Sequence, residues 1–253
     1  MIDTTVAHPA RRYNYWLGGE HHFEADRASG DAIEAAMPTI RLMAVENRRF
    51  LGRAARYVAA QGVRQFLDIG TGIPAPGGVA GNVPAEARVV FVDNDPLVQE
   101  HSAALRGEGR AYIEADLRSP AAILDHPALK ATLDLGEPVG LMLAAVLHFI
   151  RDDEDPQGIV RTLIGALAPG SYVAASHATW EYVSPAAVAQ LTAQNPGGRF
   201  VPRDGAEFAA FFAGHELVEP GLASVAHWHA GDEPQPRPAI EDVACNGLVA
   251  RRA

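Results

Sequence analysis

From Arg64 to the C-terminus, short apolar runs alternate with stretches of helical spacing, and this alternation leaves few folds open to the chain. The strand-length runs are 65–69, 88–92, 111–114, 139–144 and 171–176; helical stretches between or after them include 96–105, 157–167 and 185–192. Runs that are apolar throughout are those of strands buried on both faces, and strands separated by helices pair in parallel. The predicted class is α/β, with a Rossmann-like, doubly wound and mostly parallel sheet. After a helix predicted over 204–213, strands over about 216–225 and 243–249 follow without a helix between them. That adds an antiparallel terminal strand and brings the sheet to seven strands.

Upstream, residues 1–62 read as an N-terminal helical extension or lid, and residues 63–253 as the sheet domain. Helices are predicted over 31–36 and 41–60. In the second, Leu42, Val45, Phe50, Leu51, Ala54, Ala55 and Val58 lie close to helical spacing, and arginines fill the other face. A chain of 253 residues can bury the core of one such domain. Its net charge of −10 argues against broad nucleic-acid binding. No apolar run reaches the roughly 20 residues of a membrane span. Residues 1–10 lack the pattern of a signal peptide. The single cysteine, Cys245, sits in an apolar segment, excludes an internal disulfide framework and fits a reducing cytoplasm.

The first strand runs into Phe66-Leu67-Asp68-Ile69-Gly70-Thr71-Gly72. Gly70 and Gly72 permit a tight turn with bare backbone for a ligand to lie against. Taken alone, Gly70-x-Gly72-x-x-Ala75 also matches a dinucleotide fingerprint, which leaves an NAD(P)-dependent oxidoreductase as an alternative. A dinucleotide requires a helix directly after the glycines to hold its pyrophosphate, and Pro74, Pro76, Gly77 and Gly78 oppose one. Asp68 would repel pyrophosphate but suits a cationic ligand. The second strand ends in Asp93, placed for a ribose diol, with Asn94 beside it to border an adenine; Asp95-Pro96 reads as a helix cap and first helical residue. The third ends in Asp116, placed for an adenine amino group, and Leu117 for the ring face.

The segments 66–74, 90–96 and 111–120, with 141–150 and 167–173, resemble the motifs of class I S-adenosylmethionine (SAM)-dependent methyltransferases. Tyr13-Asn14-Tyr15-Trp16-Leu17-Gly18-Gly19, Asn47-Arg48-Arg49-Phe50-Leu51-Gly52-Arg53-Ala54 and Leu217-Val218-Glu219-Pro220-Gly221 carry a closer similarity, over nearly the full length, to an actinobacterial S-adenosyl methyltransferase family long known as a domain of unknown function. Asn14 and Glu20-His21 depart from that family's usual pattern. The resemblance implies SAM as cofactor, and Asp68, Gly70, Thr71, Gly72, Asp93, Asn94, Asp116, Leu117, Ala144 and Ala145 as its contacts. The expected reaction is methyl transfer to a small molecule, an aromatic or heterocyclic product of secondary metabolism; a non-catalytic SAM-binding protein is the other alternative.

Methyl transfer needs an aligned acceptor and, where the acceptor must lose a proton, a base. His177 and His148, after the fifth and fourth strands, are the candidates, His177 preferred. Tyr13, Tyr15, Trp16, His21, His22 and Phe23 flank Gly18-Gly19 and could form a hinged aromatic lid, the competing reading being a staple that packs the extension onto the domain. Trp180 could line an acceptor pocket. His227-x-His229 lacks a third ligand, so no metal is expected. The acidic run 152–155 reads as helix N-terminal charge.

Overall fold

The structure is a computed structural model that describes residues 2–195 and 197–253. In it the apolar runs become β1 (Gln65–Ile69), β2 (Arg88–Asp93), β3 (Arg110–Glu114), β4 (Gly140–Ala144) and β5 (Tyr172–Ala178), parallel and in the order β3-β2-β1-β4-β5. β8 (Cys245–Arg251) pairs antiparallel with β5. The single strand expected over 216–225 is instead two short pieces on the far edge of β8, β6 (Glu216–Leu217) and β7 (Ala223–Ser224), giving an 8-stranded sheet. Pro220 has no N–H for the ladder and Gly221 is left-handed at φ +79°, so the edge is broken between them.

Alternation along the strands sends Phe66, Phe91, Met142 and Ala174 to one face, under the long helix α3 (Ile40–Ala60), through Phe50, Ala54, Ala55 and Val58. Leu67, Ile69, Leu141, Leu143 and Val173 point to the other face, where α7 (Pro156–Gly165) supplies Ile159, Val160 and Leu163 and α9 (Gly205–Ala210) supplies Phe208. Asp155, last of the acidic run, caps α7 by accepting from Gly158 N at 2.9 Å. α5 (Pro120–Leu124) and α6 (Pro127–Thr132) are short helices that the apolar spacing does not reveal, and α8 (Pro185–Ala193) falls where expected. Among the described residues no helix is long and apolar enough to cross a membrane.

Two of the arginines on the other face of α3 turn into the protein. Arg48 reaches Ala75 O and Pro76 O at 2.8 and 3.1 Å. The buried Arg53 reaches Trp228 O and Val225 O at 2.8 and 2.5 Å and Glu233 at 2.9 Å. Glu46, also buried, pairs with Arg49 and Arg237. α3 therefore belongs to the core of the sheet domain and clamps two loops to it, so residue 62 does not divide two separately packed units.

Two further helices precede it, α1 (Pro9–Trp16) and α2 (Glu24–Ala36), the latter longer than the 31–36 expected. Asp26 organises the start of α2, accepting from Phe23 N and from His8 N, both at 2.8 Å. Gly18 and Gly19 close the end of α1, with Gly19 N donating to Asn14 O at 2.9 Å and Gly18 left-handed at φ +78°. Instead of a free hinge they form a helix cap, and a β-carbon on Gly19 would fall 2.3 Å from Asn14 Nδ2. α1 is held to the sheet domain by a buried ion pair: Arg11 Nε and Nη2 donate to both oxygens of Asp95 at 2.9 and 2.8 Å. Asp95 also caps α4 (Pro96–His101) by accepting from Leu97 N at 3.0 Å, as its place before Pro96 predicts.

Breaking a buried pair from one side leaves an uncompensated charge. Arg11→Ala is expected to lower unfolding free energy by about 3–5 kcal/mol in urea titrations. Adding Asp95→Asn, which keeps a cap oxygen, should recover part of that loss. A single variant as stable as the parent would show that α1 is not anchored by this pair.

Candidate functional site

The carboxyl ends of β1, β2 and β3 form one crevice lined by acids. At the end of β1, Gly70 N and Thr71 N donate to Val92 O at 2.8 and 3.1 Å, folding the chain toward β2. Gly70 and Gly72 hold φ +76° and +67°, a region that favours glycine. Their surroundings differ. A β-carbon on Gly70 would meet Val146 Cγ2 at 2.7 Å, so this position is fixed by the loop after β4 and not by open space for a ligand. A β-carbon on Gly72 would have no neighbour within 4 Å, so its backbone faces open space. No helix follows directly: the first is the three-residue turn Val79–Gly81. The helix terminus that would hold a pyrophosphate is missing here.

Asp68 and Asp93 lie on the α3 side of adjacent strands, both almost fully buried. Asp68 accepts from Thr71 Oγ1 at 2.9 Å. Burial pushes its carboxyl from an ordinary 3.8 up to about 6. Asp93 accepts from Asp95 N at 3.0 Å and from Gly72 N at 2.8 Å, one N–H on each oxygen. Each oxygen keeps a second acceptor site, which is what two ribose hydroxyls require. Burial pushes Asp93 up as well, against those two N–H bonds. Asp116 accepts from Asn94 Nδ2 at 3.0 Å and from Arg118 N at 2.8 Å. Partial burial opposes its ionisation, yet those bonds and the Arg118 charge hold it below its ordinary range. Leu117 is buried in the second core cluster with Val92 and Ile113.

Ala144 ends β4, and Ala145 is left-handed at φ +53°, a conformation costing a non-glycine residue roughly 1–2 kcal/mol. Its N–H reaches Ser176 Oγ at 2.9 Å. Strain of this kind at a strand end is a mark of functional sites.

The two histidines are placed differently from the base role expected of them. His177 is fully buried; its Nδ1–H donates to Ala178 O at 2.8 Å, so Nε2 is the acceptor, and Arg203 Nη1 already fills it at 3.2 Å. Burial pushes the imidazole down to about 4. His148 Nδ1 accepts from Ala178 N at 3.3 Å, which leaves the neutral ring's proton on Nε2. Burial, then the neighbouring His177 and Arg203, hold it well below its ordinary range. Neither ring has a free lone pair for an acceptor's proton.

The N-terminal aromatics are largely packed in place. Tyr13 Oη donates to Ala44 O at 2.9 Å, and Trp16 joins Ile40, Leu191 and Trp180 in a third apolar cluster. Tyr15 bonds Asp31 at 2.7 Å beneath Arg41, His21 lies against His101 with ring centroids 3.9 Å apart and the rings tilted by 36°, and His22 Nε2–H donates to Gly19 O at 3.0 Å. His227 and His229 lie in a turn, each bonded to a backbone carbonyl, Pro238 O and Glu219 O. Among the described residues no three His, Cys, Asp or Glu side chains gather as a metal would need. Sequence reasoning missed Asn47, Ser176, Val146 and the Arg11–Asp95 pair; only Asn47, polar beside the apolar stripe of α3, left any local signal.

Comparison with known proteins agrees with this geometry. The family model described as S-adenosyl methyltransferase matches residues 1–253. A DUF574 family protein from Streptomyces avermitilis MA-4680 is 42% identical, with 100% of both chains covered and a TM-score of 0.91. A candidate methyltransferase from Thermobifida fusca YX is 34% identical over 99% of this chain and 96% of its own, with a TM-score of 0.90. OxaC, solved with S-adenosylhomocysteine (SAH) and oxaline, shares the fold at 17% identity and a TM-score of 0.54, covering 81% of this chain and 47% of its own. No curated protein matches the chain.

The burial of Asp68 has a consequence for stability. A carboxyl whose folded pKa is raised favours the fold below its unfolded value and ceases to do so as pH rises through the folded one. Between an ordinary 3.8 and about 6 the ligand-free protein should lose about 3 kcal/mol from this group. Asp68→Asn, which keeps an acceptor for Thr71, is therefore expected to be more stable than the parent at pH 7 and equal to it near pH 4. Urea titrations at the two pH values check this; equal stability at pH 7 would refute the strained carboxylate.

Proposed function

The chain belongs to the S-adenosyl methyltransferase family and is a SAM-dependent methyltransferase; on that premise we propose that it methylates a small aromatic or heterocyclic acceptor. The observation that carries this reading is a train of aromatic rings at the carboxyl ends of β4 and β5. His148 and Phe149 stand against Phe200 at 4.8 and 5.8 Å, Phe200 against Trp180 at 5.7 Å, and Trp180 shares its cluster with Trp16. Such surfaces favour flat, apolar ligands. OxaC, solved with oxaline, offers a precedent in the same fold for a small-molecule ligand. The net charge of −10 supports a reading without nucleic acid, and the one buried cysteine supports a reducing cytoplasm. We assign the reaction to secondary metabolism on the acceptor class alone.

The cofactor supplies a methyl group already activated on a sulfonium. In this reading Asp93 accepts from its ribose hydroxyls, Asp116 and Asn94 border its adenine, and the open backbone at Gly72 admits it. Asp68 faces its positive charge, with Thr71 holding the carboxylate. Ala144 and Ala145 border the transferred group. His148 presents an Nε2–H donor and His177 braces Arg203; both position groups and neither takes a proton. What remains for the protein is alignment of the acceptor and exclusion of water.

Calorimetry with SAM and SAH tests the cofactor half, and a methyl-transfer assay over aromatic and heterocyclic acceptors tests the other. Asp93→Asn is expected to weaken SAH binding by about 1.5–3 kcal/mol, the scale of hydrogen bonds to a charged group. SAM affinity should rise from pH 5 to pH 7.5 as Asp68 ionises through about 6, and Asp68→Asn should flatten that rise. Affinity indifferent to both substitutions would remove these carboxylates from the site; turnover confined to macromolecular acceptors would refute the small-molecule reading.

A further inference from the structure

A line of hydrogen bonds, buried at its centre, joins α1 to the backbone leaving β4. Ala145 N donates to Ser176 Oγ at 2.9 Å, Ser176 Oγ to Asn47 Oδ1 at 2.5 Å, Asn47 Nδ2 to Tyr13 Oη at 2.9 Å, and Tyr13 Oη to Ala44 O at 2.9 Å. Both ends fix its polarity, because a backbone N–H can only donate and a carbonyl can only accept. Each hydroxyl hydrogen therefore has one destination, and bonds aligned in one sense strengthen one another. Asn47 and Ser176 are buried, and burial pushes the Tyr13 phenol up to about 12, which keeps it a donor. The line is drawn from four separate segments of chain: α1, α3, β5 and the turn after β4.

Its terminus is where the consequence lies. Ala145 holds φ +53°, and the next residue, Val146, fills the space that a β-carbon on Gly70 would occupy. The turn at Ala145 thus seats Val146 against the glycine turn of the cofactor crevice. Ser176 O is a second, longer acceptor for the same N–H at 3.2 Å, so losing the hydroxyl loosens the turn without orphaning the amide. We propose that Tyr13, Asn47 and Ser176 act together as positioning residues that set the left-handed turn at Ala145, and thereby couple the docking of the N-terminal helix to cofactor binding. The inference rests on the cofactor reading above. It gives the N-terminal segment a role in binding distinct from that of a hinged lid, and coupling of this kind is reciprocal: bound cofactor should hold α1 more firmly.

The competing account is that the line only satisfies buried polar atoms, in which case its loss would lower stability and leave binding untouched. Full-length Tyr13→Phe, Ser176→Ala and the double variant separate the two. SAH affinity is measured by calorimetry, and hydrogen exchange is followed at the amides of residues 145–147, with β1 and β2 as internal controls. Each single variant should bind SAH about 3- to 10-fold more weakly, the size of one hydrogen bond. The double variant should be no weaker than the weaker single, as expected of one connected unit. Amides 145–147 should exchange faster while β1 and β2 keep their protection, and adding SAH to the parent should slow exchange in α1. Should Ser176→Ala fail to fold, Tyr13→Phe, which removes one oxygen and keeps the ring, decides the matter through the same two readouts. Unchanged SAH affinity in the folded variants, or losses that multiply in the double, would overturn the coupling while the cofactor reading stands. A parent protein that does not bind SAH would overturn that reading and the coupling with it.

Discussion

Three carboxylates, Asp68, Asp93 and Asp95, lie almost without water at the ends of two neighbouring strands, and much of the molecule is organised by what it takes to keep them there. A buried charge is tolerable only when it is paired or richly hydrogen-bonded. Asp95 is both, with Arg11 on two oxygens and its own helix N-terminus behind it, and although burial pushes it up, His8 and Arg11 hold its carboxyl well below its ordinary range. Asp93 has two backbone N–H groups and no cation in contact. Asp68 has one hydroxyl. Asp68 is thus the least satisfied of the three, and its charge is the one that the proposed contact with a cationic cofactor would meet. The family's cofactor carries the opposite charge.

This arrangement explains why an extension of two helices precedes the domain. Without α1, Asp95 would sit buried beside Asp93 with no counter-ion, and repulsion between the two would fall on the residue proposed to take the ribose. The extension thus behaves more like a staple than a lid: its glycines close a helix, Tyr13 is hydrogen-bonded into α3, and Arg11 neutralises a core acid. α3 continues the same theme. One face seals the sheet with Phe50, Ala54 and Val58, while Arg48 and Arg53 bind carbonyls of two loops that have little secondary structure of their own. Guanidinium groups suit this task, since several donors in one plane can serve neighbouring carbonyls at once.

Much of the crevice was legible in the chain because its grammar is local. An apolar run long enough for a strand, then an acid, three times in order, can be read without knowing any partner, and so can a helix that Pro74 and Pro76 forbid. The edge strand over 216–225 was misread because its apolar content outweighed Pro220 and Gly221, the residues that decide whether a ladder can continue. Arg11 and Asp95 lie 84 residues apart, and Asn47 and Ser176 lie 129 apart; no spacing rule connects them. Long-range polar pairs are chosen by the fold, and only the fold displays them.

The histidines show a different limit. Position at the end of a strand made His148 and His177 reasonable bases, yet reactivity depends on which nitrogen carries the proton. That is settled by neighbours the sequence does not reveal: the carbonyl of Ala178 takes one proton from His177, the amide of Ala178 occupies one lone pair of His148, and Arg203 closes the remaining acceptor. The backbone of one residue therefore sets both tautomers, through its C=O and its N–H. With both rings also driven toward neutrality by burial, the pair forms an uncharged wall behind the aromatic train instead of a proton relay. A wall of this kind suits a reaction in which a methyl group is displaced from a sulfonium and a neutral thioether leaves: the positive charge passes to the acceptor, and an imidazolium beside it would oppose that, whereas a neutral donor would not.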